Sequence, residues 1–175
     1  MKLTIKLFTM LFAIFAFAAN LNAGQTEPLR LNTMTVLSDK DEVMTAKKQA
    51  DLTPKAVLKD LMEGNERFMK NKETDWDLPK QASKTAAGQY PKAVVLACID
   101  SRVPVEYIFD QGIGDIFTAR VAGNFENVDI LGSMEFGAKV AGSKLILVLG
   151  HEHCGAVKAA IDGVELGNIT EMLDQ

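Results

Sequence analysis

The residues with the strongest metal-binding chemistry lie in two short segments of the chain. The sequence contains only two cysteines and two histidines. Cys98 stands alone, whereas His151, His153 and Cys154 fall within one run of four residues. Thiolate and imidazole ligands together favour Zn²⁺. Because the spacing of His151 and Cys154 lets both side chains face one point, we expect Cys98, His151 and Cys154 to bind one zinc ion, with His153 facing solvent.

An acidic and a basic residue follow Cys98 closely. Asp100 and Arg102 are two positions apart, so Arg102 can bind the Asp100 carboxylate through two parallel hydrogen bonds. The alternative is an ordinary surface ion pair, which contributes little to stability. Beside a zinc ion, Arg102 would hold Asp100 away from the coordination position that three protein ligands leave open. We therefore predict that Asp100 and Arg102 form a catalytic pair.

Short apolar runs alternate with helical patterns in the second half of the chain. Three runs predict strands: 93–99, 115–121 and 144–149. Helical patterns separate or follow them: 104–110, 127–142 and 155–161. This order predicts the α/β class, with a parallel sheet flanked by helices on both faces. Cys98 and the 151–154 segment then lie at the carboxyl ends of strands, where ligands gather in such sheets.

The segments before the sheet are predicted to be a linker, a helical arm and a loop. Residues 24–51 are polar and have no sustained period, which favours an extended arm or linker. A helix is predicted over 54–71, with Thr53 as its N-cap and apolar residues at helical spacing. This helix is the N-terminal helical arm of the fold. Residues 71–89 are interpreted as a loop because Pro79 and Gly88 interrupt the pattern.

The first 23 residues have the pattern of a secretion signal. Lys2 and Lys6 precede a short apolar run over 7–19, and Ala23 is a suitable residue for cleavage. The run is shorter than the ~20 apolar residues that span a bilayer. We therefore expect export to the periplasm or the exterior and no stable membrane span in the mature protein. An uncleaved anchor and a buried N-terminal helix are the alternatives.

The rest of the chain is long enough for one domain, predicted over residues 52–175. The formal net charge of −4 and the lack of basic runs argue against nucleic acid or an anionic membrane surface as a partner. Export leaves a disulfide between Cys98 and Cys154 open as an alternative, because exported proteins tend to oxidise paired cysteines. Such a bridge would give His151 and the Asp100–Arg102 pair no role, which favours the zinc site.

The motifs together resemble the β-class carbonic anhydrases. Three segments carry the resemblance: 98–102, 114–124 and 150–156. It implies an enzyme that hydrates carbon dioxide reversibly to bicarbonate and a proton. It also implies one zinc ion per chain, bound by Cys98, His151 and Cys154. In an inactive form of some members, Asp100 would become the fourth ligand.

The resemblance also implies a substrate pocket shared between subunits. Gln89 would donate a hydrogen bond to the substrate, and Phe117 and Phe136 would form aromatic walls. Packing in the core is the alternative for both phenylalanines. Because the family builds these walls partly from a neighbouring subunit, a homodimer or a larger homo-oligomer is implied.

Two other functions stay open at this point. A zinc protein of the same fold could hydrolyse carbonyl sulfide or carbon disulfide. The chain could also be a non-catalytic fragment, bound to zinc or closed by a disulfide. Members of the family usually continue beyond the point that corresponds to Gln175. We therefore expect the C-terminal part of the family domain to be missing.

Overall fold

The computed structural model describes residues 40–175, so the secretion-signal pattern and the first part of the predicted linker lie outside the described residues. The elements in chain order are α1 (Ala46–Asp51), α2 (Pro54–Met69), α3 (Leu78–Thr85), β1 (Ala93–Ala97), α4 (Val105–Ile108), β2 (Ile116–Arg120), α5 (Val128–Glu135), a π-helical turn (Phe136–Val140), β3 (Leu145–Leu149), α6 (Gly155–Ile161) and α7 (Gly167–Leu173). No helix within the described residues is long and apolar enough to cross a membrane.

The strands of the described region form a parallel sheet in the order β2-β1-β3. Every residue of the central strand β1 is buried. One face of the sheet packs against α2 and α4 through Leu61 and Ile108, and the other packs against α5 through Met134. The fully apolar sequence of β1 follows from this double cover. The predicted α/β fold, with a parallel sheet flanked by helices, is confirmed.

Pro54 and Pro79 lie in the first turns of α2 and α3 and do not interrupt these helices. Thr53 caps α2 by accepting a backbone N–H of the first turn, as predicted. Asp77 caps α3 in the same way, and Pro79 lies in the first turn. A first-turn residue needs no N–H donor, so proline fits there. The loop predicted over 71–89 is therefore wrong where α3 forms.

Residues 40–51, the described end of the extended arm or linker predicted over 24–51, pack against the domain and include the helix α1. The side chain of Gln49 in α1 is buried. Its Nε2 donates hydrogen bonds to the carbonyl oxygens of Pro91 and Ala141, at 2.7 and 2.8 Å. A polar composition suggested solvent exposure, but here a buried amide satisfies backbone carbonyls on neighbouring segments.

The π-helical turn after α5 brings two aromatic rings together. A Cβ on Gly137 would lie 2.4 Å from Cγ2 of Val94, so only glycine lets the turn pack this closely on β1. Phe136 then packs edge to face against Phe117 of β2, with ring centroids 6.1 Å apart. The two residues predicted as pocket walls are therefore neighbours.

Candidate metal centre

The parallel pairing of β1 and β3 brings the two metal-binding segments together. Ala97 at the end of β1 lies opposite Leu149 at the end of β3, so Cys98 and the turn over 150–154 leave the sheet side by side. One ligand atom from each of Cys98, His151 and Cys154 lies within 4.8 Å of the others. The ligand set predicted from the sequence is therefore one cluster in the folded chain.

The separation of the two sulfur atoms fits a shared metal ion. Cys98 Sγ and Cys154 Sγ lie 3.9 Å apart, and both cysteines are buried and free. Two thiolates bound at about 2.3 Å to a tetrahedral zinc ion are separated by about 3.8 Å. The pair is thus arranged as two ligands of one ion, and the disulfide considered as an alternative is not formed.

The hydrogen bonding of His151 leaves one ring nitrogen available to a metal. Nδ1 lies 3.0 Å from the carbonyl oxygen of Glu152. A carbonyl only accepts hydrogen bonds, so Nδ1 carries the proton and Nε2 carries a lone pair. Nε2 is buried and has no hydrogen-bond partner among the described residues. A buried acceptor that has no hydrogen-bond partner and belongs to a cluster with two thiols fits the role of a metal ligand.

The surroundings of Cys98 favour its thiolate form. Burial raises the pKa of the Cys98 thiol, but hydrogen bonds from the backbone, chiefly from the N–H of Gly123, stabilise the anion, and the net effect lowers the pKa to about 7. The Gly123 nitrogen lies 3.3 Å from Cys98 Sγ. Zinc binds cysteine as the thiolate. Deprotonation of the Cys98 thiol at neutral pH therefore costs little free energy when zinc binds.

Asp100 and Arg102 form the bidentate pair that their spacing predicts. Arg102 Nε donates to Asp100 Oδ1 at 2.9 Å, and Nη2 donates to Oδ2 at 2.6 Å. The backbone N–H of Arg102 also donates to Oδ1, at 2.9 Å. These bonds hold the pKa of Asp100 well below its usual range. Asp100 Oδ2 lies 3.9 Å from Nδ1 of His151, so the carboxylate stands beside the ligand cluster.

The three predicted substrate-binding residues lie away from the ligand cluster of the same chain. Gln89 is exposed and precedes β1, whereas Cys98 follows it, so a strand of about 16 Å separates their positions. Phe117 pairs with Val94, four residues before Cys98 and about 13 Å along the strand. Phe117 and Phe136 instead line an open cavity of about 710 Å³ between β2 and α5.

Two residues that touch the centre received no role from the sequence. Arg120 donates hydrogen bonds to the carbonyl oxygens of Cys98 and Asp100, and Gly123 donates to the Cys98 sulfur. Both lie in segment 114–124. The signal available in the sequence was an arginine at the end of a predicted strand that neighbours the strand before Cys98. His153, as expected, is exposed.

Comparisons with known proteins agree with this geometry. Residues 93–175 match the sequence model of the carbonic anhydrase family. "Carbonic anhydrase 2" of Mycobacterium tuberculosis is 45% identical over 123 residues, which cover 66% of this chain and 56% of that protein. The β-carbonic anhydrase CafA of Aspergillus fumigatus superposes with a TM-score of 0.52 at 26% identity, covering 69% of this chain and 56% of that one. A tetrameric β-carbonic anhydrase from Sordaria macrospora superposes with a TM-score of 0.51 at 25% identity, covering 68% and 59%.

Residues 93–175 are therefore similar in sequence to the carbonic anhydrase family, and the fold they build with the preceding helices is similar to that of a β-class carbonic anhydrase. The chain spans 56% of the length of the Mycobacterium tuberculosis relative. The donor set of two thiolates and one imidazole, with its orphaned nitrogen, fits a zinc ion.

The two histidines provide a direct test of the ligand assignment. We expect His151→Gln to abolish stoichiometric zinc binding, because it removes the buried ring nitrogen that faces the thiols. The matched variant His153→Gln, two positions away and exposed, should bind one zinc ion per chain as the unchanged protein does. Elemental analysis after zinc loading and desalting measures both. Full zinc content in His151→Gln would contradict the assignment.

Proposed function

We propose that this chain is a zinc-dependent carbonic anhydrase that hydrates carbon dioxide reversibly to bicarbonate and a proton. The observation that carries the proposal is the cluster of Cys98, His151 and Cys154, whose ligand atoms lie within 4.8 Å of one another beside a bidentate Asp100–Arg102 pair. The 45% identity to a curated carbonic anhydrase supports this choice of reaction. One zinc ion per chain is the expected content.

The protein's own groups have separable tasks in this reaction. A zinc ion at the centre would supply Lewis acidity, which makes water nucleophilic near neutral pH. Cys98, Cys154 and His151 would hold the ion, and the carbonyl of Glu152 keeps the His151 ring in the ligating tautomer. The remaining tasks, orientation of water and control of access to the ion, belong to the carboxylate beside the cluster.

Asp100 would orient the attacking water as a hydrogen-bond acceptor. Oδ1 already accepts two hydrogen bonds from Arg102, whereas Oδ2 accepts one and keeps a lone pair on the side of His151. Arg102 would have a second task, because its hydrogen bonds would keep the Asp100 carboxylate from turning towards the ion as a fourth ligand. The bidentate geometry orients the Asp100 carboxylate and also keeps it in place. A single point charge at the position of the Arg102 guanidinium would not do both.

Removal of Arg102 should separate zinc binding from turnover. We expect the zinc-loaded full chain to hydrate carbon dioxide, and Arg102→Ala to keep its zinc while kcat/KM falls by about 10–100-fold. The reason is that Asp100 loses its anchor and is free to occupy the position that water needs. Stopped-flow hydration assays with zinc analysis on the same samples measure both quantities. An inactive, fully zinc-loaded wild-type protein would refute the function, and a fully active Arg102→Ala would refute the role of the pair.

The proposal extends to a homo-oligomer in which two chains complete each site. Gln89, Phe117 and Phe136 lie at the opposite end of the sheet from the ligands of their own chain. Phe136 is 48% exposed although it is a large aromatic residue, and Ile146 and Val148 on the edge strand β3 are 46% and 59% exposed. Apolar surface of this kind is typical of protein–protein contacts. The Sordaria macrospora relatives are tetrameric.

Mixing two defective variants tests the shared site. Gln89→Ala and Arg102→Ala should each be weakly active, whereas their refolded or exchanged mixture should regain about a quarter of wild-type activity. In a mixed dimer, one of the two sites receives an intact Gln89 from one chain and an intact Arg102 from the other. Each variant incubated alone in the same way is the control. A mixture no more active than its components would contradict a site built from two chains.

Export of the mature protein is part of the same proposal. Its support is the basic start, the short apolar run over 7–19 and the small residue at position 23. Cell fractionation followed by N-terminal sequencing of the purified protein tests it. We expect protein outside the cytoplasm that begins at Gly24, and a cytoplasmic protein that begins at Met1 would contradict export.

A further inference from the structure

Arg120 connects the end of one strand to the loop that carries two residues of the centre. It is the last residue of β2 and pairs with Ala97, the last residue of β1. Its Nε donates to the carbonyl oxygen of Cys98 at 2.9 Å, and its Nη2 donates to the carbonyl oxygen of Asp100 at 2.7 Å. One guanidinium therefore spans the backbone between a metal ligand and the catalytic carboxylate.

We propose that Arg120 is a positioning residue, which fixes the backbone of residues 98–100 and thereby sets where the Cys98 sulfur and the Asp100 carboxylate stand relative to each other. The role of Asp100 in this statement rests on the function proposed above. The role of Cys98 rests on the ligand cluster alone.

The contacts of this loop show what Arg120 adds. Arg102 binds the Asp100 side chain, and the N–H of Val103 donates to the Asp100 carbonyl at 3.0 Å. These bonds fix the shape of the turn within itself. They do not fix the turn against the sheet, because all their partners lie between residues 100 and 103. Arg120 attaches the backbone of the turn to the sheet, since its own backbone belongs to β2, whereas Gly123 holds only the Cys98 sulfur.

The guanidinium group suits this task better than an ammonium group. After Ala97 the chain leaves the sheet, so the carbonyls of Cys98 and Asp100 lie beyond the paired register of β1 and β2. The planar fork of arginine presents donors in fixed directions and can hold two carbonyls at once. A lysine at this position would be a flexible point charge that holds one carbonyl at a time. The backbone of residues 98–100 would then be freer to move towards or away from the ligand cluster.

The zinc affinity of Arg120 variants tests the proposal. Arg120→Met keeps the length of the side chain but removes its donors, and we expect zinc affinity to fall by about 10–100-fold. Arg120→Lys should lie between Arg120→Met and the wild type. In the fully zinc-loaded full chain, Arg120→Met should lower kcat for carbon dioxide hydration more than it changes KM, because Asp100 is displaced. Competition with a chelator of known affinity measures the first effect, and stopped-flow kinetics measures the second.

Thr118→Val is the matched control on the same face of β2. Thr118 donates to Glu106 at 2.6 Å and makes no hydrogen bond to the 98–100 turn. The zinc affinity of the Thr118→Val variant should equal that of the wild type. Wild-type zinc affinity in Arg120→Met would overturn the proposal, and so would wild-type affinity in Arg120→Lys if Arg120→Met does not fold. If the zinc-loaded wild type fails to hydrate carbon dioxide, the proposed function fails, while the affinity comparison still decides the role of Arg120.

Discussion

The in-register parallel pairing of β1 with β3 is the constraint on which the metal centre depends. Cys98 and the 150–154 turn meet only because Ala97 and Leu149 end their strands opposite each other. A slip of one residue would move Cys98 by about 3.3 Å and turn its side chain to the other face of the sheet. The complete burial of β1 on both faces prevents such a slip, since a shift of one residue would exchange the side chains of the two core clusters. The packing of the core therefore also fixes the positions of the residues in the metal centre.

Within that frame, three polar groups of the centre each have a hydrogen-bond partner. Asp100 has the guanidinium of Arg102, Cys98 has the N–H of Gly123, and His151 Nδ1 has the carbonyl of Glu152. The exception is Nε2 of His151, which is buried without a partner. An unsatisfied buried polar atom costs about 1–3 kcal/mol. Within the metal centre this cost falls on Nε2 of His151, and a bound cation would relieve it.

The sequence predicted those parts of the structure that local chemistry determines. The apolar runs located all the strands of the described region, and the rarity of cysteine and histidine indicated which residues converge. The loop prediction was wrong at Pro79, because proline occurs both in the first turn of a helix and where a helix ends. Here Pro79 lies in the first turn of α3. The packing of Gln49 was also missed, because nothing local shows that a polar side chain has two buried carbonyls to satisfy. The role of Arg120 was missed for the same reason, because its partners lie in the turn that follows another strand, β1.

The substrate-binding roles expected for Gln89, Phe117 and Phe136 are a different case, because in the proposed oligomer they depend on contacts between chains. The sheet places metal ligands at the carboxyl ends of β1 and β3 and these three residues towards the other end or its flank. Within one chain the ligands and the Asp100–Arg102 pair are complete, whereas the walls of a substrate pocket are not. In the oligomer that we propose, metal binding is a property of the folded chain, and efficient turnover is a property of its assembly. Variants that weaken contacts between chains would leave the zinc content intact and still lose activity, so zinc content by itself measures the fold rather than the enzyme.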